Sequence, residues 1–228
     1  MTGRRLAAAA AVLLLSAACS SGGSHGPRPD GSTSKAAADL TALAGRGAAA
    51  TYTGIYAFHQ ASPDSTATVD VWHAPPNLRV DVVSGGTTAS FIRTAAATYS
   101  CVSKKGKHSC FTVAGPGRKA PAPFDVGPAT LFSDDLVTLS ASGASYDVTQ
   151  AAPVAAGGGA PAATCFDLKP GLLTPQPAVQ TGTYCFADNG VLTSVQYPSG
   201  NTARLYLLLR TVPAKRFVPY AKPRPLPA

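Results

Sequence analysis

From residue 51 to residue 212 the chain is a succession of short runs in which apolar and polar residues alternate, separated by Gly, Pro and Asn. A period of two sends every second side chain to the same side of a strand, and turns this close together join antiparallel neighbours. Residues 51–58 place Tyr52, Tyr56 and Phe58 on one face. Residues 66–72 place Ala67, Val69 and Val71 together, with Asp70 opposite. In residues 78–82 Leu78, Val80 and Val82 point inward, and Arg79 and Asp81 outward. Pro75-Pro76-Asn77 and Gly85-Gly86 read as turns. Residues 89–93, 98–102 and 109–113 complete a first meander. A second meander takes in residues 146–150, 164–168, 183–186, 191–197 and 202–212, with Asn189-Gly190 as a two-residue hairpin signal and Ser199-Gly200 as a weaker one. All 11 acidic residues are Asp. A chain without Glu but with many Thr, Val and Gly lacks a good helix former and leans to strand.

Two helices are expected. Residues 34–43 carry Leu40 and Leu43 on one side, with Ser34 as a cap and Gly45 and Gly47 as the stop. Residues 128–139 start with a proline suited to a first turn and place Leu131, Phe132, Leu136 and Leu139 on one side. Several strands are apolar on one side only, which suits a sheet packed on one face and wet on the other. The Pro-rich tail after residue 213 lies against the domain or hangs free.

The N-terminus sets the compartment. Arg4 and Arg5 precede the apolar run 6–15 and the sequence Leu15-Ser16-Ala17-Ala18-Cys19. A charged region, a short apolar stretch and small residues make a secretory signal, too short to span a bilayer. Its last five residues resemble the lipobox of bacterial lipoproteins. The resemblance implies cleavage before Cys19, a diacylglycerol on its thiol, and attachment to the extracytoplasmic face of the cell membrane. Residues 1–18 are then the signal peptide, 19–33 a Ser/Gly/Pro-rich tether, and 34–228 the folded domain with its tail.

Four cysteines follow Cys19, an even number in an oxidising compartment. A two-residue turn at Lys105-Gly106 sets Lys104 opposite Lys107 and, counting outward, Cys101 opposite Cys110. Cys165 and Cys185 lie on consecutive strands and could also be neighbours. Each closed loop adds roughly 3 kcal/mol in the chain-entropy model. A four-cysteine metal site or a redox pair would call for C-x-x-C spacing, which is missing.

No residue pattern names a reaction. His25, His59, His73 and His108 are scattered at the tether, strand ends and a hairpin tip, and read as surface residues. Asp134 and Asp135 are adjacent, so a helix points them apart and leaves them exposed. No serine has G-x-S-x-G context, and Gly157-Gly158-Gly159 lacks the Lys-Ser/Thr of a phosphate loop. The expectation is therefore no catalytic set, no metal and no cofactor. The net charge of +8 is spread out, without the basic stripe and stacking aromatics of a nucleic-acid binder. It reads as a solvated face. In the last strand Ala203, Leu205, Leu207 and Leu209 share one side, and Tyr206 and Leu208 the other. Leu205, Leu207 and Leu209 are the candidates for lining an apolar cavity, or for plain core.

The order of these features has a family likeness. An anchored cysteine, a tether, a short helix and the strand Thr51-Tyr52-Thr53-Gly54 come first. Ala74-Pro75-Pro76-Asn77-Leu78-Arg79-Val80-Asp81 follows, and then Tyr184-Cys185-Phe186-Ala187-Asp188-Asn189-Gly190-Val191-Leu192 with a closing strand. Over residues 34–220 this resembles the LolA/LolB-like lipoprotein superfamily, as found in lipoproteins of high-GC Gram-positive bacteria. The resemblance implies a mainly β (α+β) fold, a curved, incomplete antiparallel barrel with one or two helices on its concave face. Family members carry lipids, acyl chains or lipoprotein anchors, and others act as sensors or partners. The leading expectation is a membrane-anchored binder or carrier of a lipid or other apolar ligand. The rival is an envelope sensor or accessory protein with a protein partner. A hydrolase with a dispersed triad is the third.

Overall fold

Strand β1 (Tyr52–Ala61) is the seam of the molecule. On one side it pairs with β2 (Asp64–Ala74), and the first meander continues through β3 (Asn77–Ser84), β4 (Thr87–Arg93), β5 (Thr98–Lys104) and β6 (Lys107–Ala114). On its other side it pairs with β11 (Thr202–Leu209), the last strand of a second meander. That meander comprises β7 (Tyr146–Ala151), β8 (Ala163–Pro170), β9 (Gly182–Ala187) and β10 (Leu192–Gln196). With β12 (Arg224–Pro225) the order is β12-β6-β5-β4-β3-β2-β1-β11-β10-β9-β8-β7, a single open sheet of 12 strands. The structure, a computed structural model, describes residues 31–121, 124, 127–142, 146–153, 161–171 and 178–226. The expected signal peptide, Cys19, and the glycine run at 157–159 lie outside the described residues.

The alternating runs became the strands they predict, because a half-buried sheet rewards that period. Tyr52, Tyr56, Val69, Val71, Leu78 and Val80 all lie in the main core. Among the described residues three α-helices cover this concave face: α1 (Gly31–Ala49), α2 (Gly127–Phe132) and α3 (Asp134–Ser142). β6 and β7 lie near opposite ends of the sheet, so the chain between them crosses that face, and α2 and α3 lie on the crossing. The expected helix over 128–139 is thus two, interrupted at Ser133.

α1 begins three residues before Ser34 and runs through both glycines expected to stop it. Close approach, rather than termination, explains Gly47. A methyl group at Gly47 would collide with the Gly190 carbonyl oxygen, and one at Gly190 with the backbone of Leu43 and Gly47. The helix end therefore seats backbone against backbone on the β9–β10 turn, and the Arg46 guanidinium donates to the Asp188 carbonyl at 3.0 Å. That turn is not the two-residue hairpin expected. Ala187 accepts from Gly190 N–H and donates to the Val191 carbonyl, so the loop holds Asp188, Asn189 and Gly190, with Gly190 at φ 82°. Three-residue loops of this kind end on a left-handed residue, a position glycine fills without strain. By contrast Lys105 and Gly106, at φ 49° and 74°, form the two-residue turn that pairs Lys104 with Lys107.

The outer face is not wholly wet. The tail turns through a 3-10 segment (Ala214–Phe217) and returns across the sheet to place β12 parallel to β6. Beneath it Arg79 and Asp81 point outward as expected, yet they are 8% and 6% exposed. Arg79 Nε and Nη2 donate to the two carboxylate oxygens of Asp81 at 2.7 Å each, and Nη1 donates to the Arg216 carbonyl at 3.0 Å. The guanidinium also sits 5.4 Å from the ring centres of Trp72 and Tyr220. A charge pair buried this deeply is tolerated because its hydrogen bonds are met. Tyr220 and Ala221 close a small second core over Ile92, Tyr99 and the Cys101–Cys110 bridge.

Candidate functional site

Both disulfides join directly opposed residues. Cys101 faces Cys110 across β5 and β6, and Cys165 faces Cys185 across β8 and β9, each pair with Cα atoms 4.0 Å apart. The register argument thus identified the first bridge, and strand adjacency the second. They staple the two meanders separately.

The final strand does not do what its alternation predicts. Ile55 of β1 pairs with Leu207, while the next residue, Tyr56, pairs with Leu205. Tyr206 is therefore an extra residue, a β-bulge, and the inward parity of β11 reverses at it. Ala203 and Leu205 are buried, Leu208 is packed against the core, and Leu207 and Leu209 are 40% and 46% exposed. Leu205, Leu207 and Leu209 do not share a face, and none of them lines the cavity described below.

That cavity, of about 640 Å³, lies between the first meander and the helices. Phe91 of β4, Phe132 at the end of α2 and Leu136 of α3 give it an apolar wall, with Ala120 from the loop after β6. Ala48 near the end of α1 and Pro75-Pro76 of the β2–β3 turn border it. Val137, 53% exposed, adds apolar surface that opens to solvent. Such a volume is within the roughly 300–1,000 Å³ of small-molecule sites, which are mostly apolar with a few placed polar groups.

The polar groups come from four elements. His73, at the end of β2, is buried rather than at the surface. Its Nδ1 lies 2.7 Å from the Ala50 carbonyl, which can only accept, so Nδ1 carries the proton. Burial lowers the His73 pKa; the Ala50 bond opposes this in part, and the charge on Arg93 lowers it further. Arg93 ends β4, and its Nη1 donates to Asp134 Oδ1 at 3.3 Å. Lys119, in the loop after β6, places Nζ 3.3 Å from Asp134 Oδ2. Asp134 is the first residue of α3, where a carboxylate also meets the positive end of the helix. The Asp134 expected at the surface is instead one-third exposed and bridges two cations. Sequence reading missed this set, because its members are 73, 93, 119 and 134, each unremarkable in its own segment.

Among the described residues no group of three or more His, Cys or Asp could hold a metal, and no helix is long and apolar enough to cross a membrane.

Solved structures share this architecture. One of MucB superposes with a TM-score of 0.50 at 14% identity, covering 81% of this chain and 64% of that one. The fold is LolA-like. MucB in complex with MucA(peri), and the Pseudomonas aeruginosa MucA/MucB complex, give TM-scores of 0.48 and 0.49 at 14% and 15% identity. They cover 79% and 80% of this chain and 58% and 59% of theirs. The chain thus spans about six-tenths of the length of these structures. No family model matches the chain, nor does any curated protein.

Proposed function

We propose that this protein is a cell-envelope lipoprotein, anchored through Cys19, whose concave cavity binds a lipid or other apolar ligand. The observation that carries this reading is the cavity itself. It holds about 640 Å³ between sheet and helices, walled by Phe91, Phe132 and Leu136 and open beside Val137. Phe91, Phe132 and Leu136 form its floor and belong to the main core, and Pro75, Pro76 and Val137 add apolar surface open to an entering chain. The protein then acts as a binder or carrier rather than a catalyst, on the outer side of the membrane of a high-GC Gram-positive bacterium. Organic-solvent extraction and mass spectrometry of the full-length protein, gently solubilised from its own membrane, test the ligand. Lipid near one molecule per chain, beyond the lipid bound to Cys19, supports the reading; none counts against it. Fractionation tests the anchor: Cys19→Ala is expected to leave the membrane fraction or to accumulate as precursor, and normal maturation with full membrane retention would contradict lipidation.

A second reading, an accessory protein with an envelope partner, is favoured by a different observation. Tyr206, Leu207 and Leu209 are exposed on β11, in the middle of the sheet. The MucB structures pair that protein with MucA. Leu207→Lys should abolish capture of a partner in membrane cross-linking if this face is the interface.

A further inference from the structure

We infer that the ligand of this cavity is an amphiphile with an anionic head, a carboxylate or phosphate, held by Arg93 and Lys119. The inference rests on the cavity-binding reading above and specifies its ligand class. The lining combines two chemistries. Phe91, Phe132 and Leu136 form a floor backed by the core, Pro75, Pro76 and Val137 give exposed apolar surface, and Arg93, Arg118 and Lys119 line the same space. Against these three cations the described lining sets one carboxylate, Asp134. That carboxylate spans Arg93 and Lys119 with one oxygen each, at 3.3 Å on both sides. The contacts are long, Arg93 and Asp134 are one-third exposed and Lys119 is 73% exposed, so the bridge is weak and exchangeable. It nonetheless turns Lys119, an otherwise exposed side chain, toward the cavity. A carboxylate or phosphate entering with its chain against the apolar wall meets two donors already drawn together, one of them a guanidinium suited to two-pronged contact. A third cation, Arg118, offsets Asp134, so the incoming anion meets net positive charge. α3 begins at Asp134 and adds the positive end of its dipole to the same space. His73 supplies no competing cation, because its proton is on Nδ1, bonded to Ala50, and burial with Arg93 nearby disfavours a second one. Neutral lipids would fill the walls but leave Arg93 and Lys119 with nothing new to bind.

Photo-cross-linking tests this on the full-length protein in phosphatidylcholine vesicles. The probes are photoactivatable palmitate, a photoactivatable phosphatidic acid and the matching photoactivatable hexadecanol, with labelled peptides mapped by mass spectrometry. Labelling of the peptides containing Phe91, Phe132 or Leu136 should favour one or both anionic probes over the alcohol. Which of the two is favoured distinguishes carboxylate from phosphate. In Arg93→Gln/Lys119→Gln the acid-to-alcohol ratio should fall about tenfold or more, the worth of a charge-assisted hydrogen bond. Wild type and variant see the same vesicles, so probe partition cancels. Asp134→Asn, which keeps the size of the side chain, should shift the ratio the other way. A ratio unchanged in both variants, with the cavity peptides still labelled, overturns the anionic head and leaves apolar binding standing. No cavity labelling by any probe overturns both.

Discussion

His73 and Arg79 are the two side chains whose surroundings depart most from what an outward look at the sequence suggests. His73 ends a strand, and strand ends are usually wet; the α1–β1 junction at Ala50 covers it. Its folded pKa lies below the ordinary 6.5 because burial disfavours the charged ring. Between the folded value and 6.5 the unfolded chain binds more protons than the folded one. The stability from this group is therefore complete above about pH 6.5 and is lost as pH falls through the lowered folded pKa. Urea midpoints measured from pH 7.5 to 5 should fall in wild type and fall less in His73→Gln, whose amide can still donate to Ala50. An equal fall in both proteins would show that another group is responsible. Arg79 tests burial differently. Asp81→Ala strands a buried guanidinium, and removing one partner of such a pair costs about 3–5 kcal/mol. A loss below about 1 kcal/mol in urea unfolding would mean the tail does not seal the pair.

Glycine separates the parts of the elements that sequence makes legible from those it does not. In α1 a glycine reads as a stop, because it costs about 1 kcal/mol relative to alanine in a helix. Gly45 and Gly47 instead sit inside the helix, and Gly47 is at a close approach that only the assembled fold defines. The two should respond oppositely to alanine. At Gly45 a new methyl meets only Ser140 Cβ, at an ordinary 3.8 Å, so Gly45→Ala should be neutral or stabilising by up to about 1 kcal/mol. At Gly47 it meets backbone that cannot rotate away, so Gly47→Ala should destabilise by about 1–3 kcal/mol, the range of overpacking. Matched thermal and urea unfolding of the two variants checks this, and similar effects would refute the docking of α1 on the Gly190 turn. The strands were legible because a one-faced sheet enforces its period. The parity of β11 was not, because one extra residue at Tyr206 flips Leu207 and Leu209 outward without altering the alternating text. β12 was hidden for another reason: Pro225 is a poor strand residue, admitted here in a two-residue strand at the edge of the sheet.

At the scale of the molecule, two stapled meanders meet along β1 and β11, and α1, α2 and α3 are laid over one face of the resulting open sheet. The overall architecture could be read from turn spacing, cysteine parity and the order of segments. The cavity could not, because it is space left between β4, the loop after β6, and the helices, where His73, Arg93, Lys119 and Asp134 converge from separate segments. An open cavity and a packed core respond in opposite ways to a larger side chain. Ala48, half-buried on α1, borders this space. The most direct measurement of the central claim is therefore co-purified lipid and thermal unfolding, taken on the same samples of full-length wild type and Ala48→Trp. The account predicts that wild type carries lipid, and that Ala48→Trp loses most of it while melting within a few degrees of wild type once both are delipidated. A wild type without lipid, or a tryptophan variant that keeps its lipid and unfolds far earlier, would contradict it.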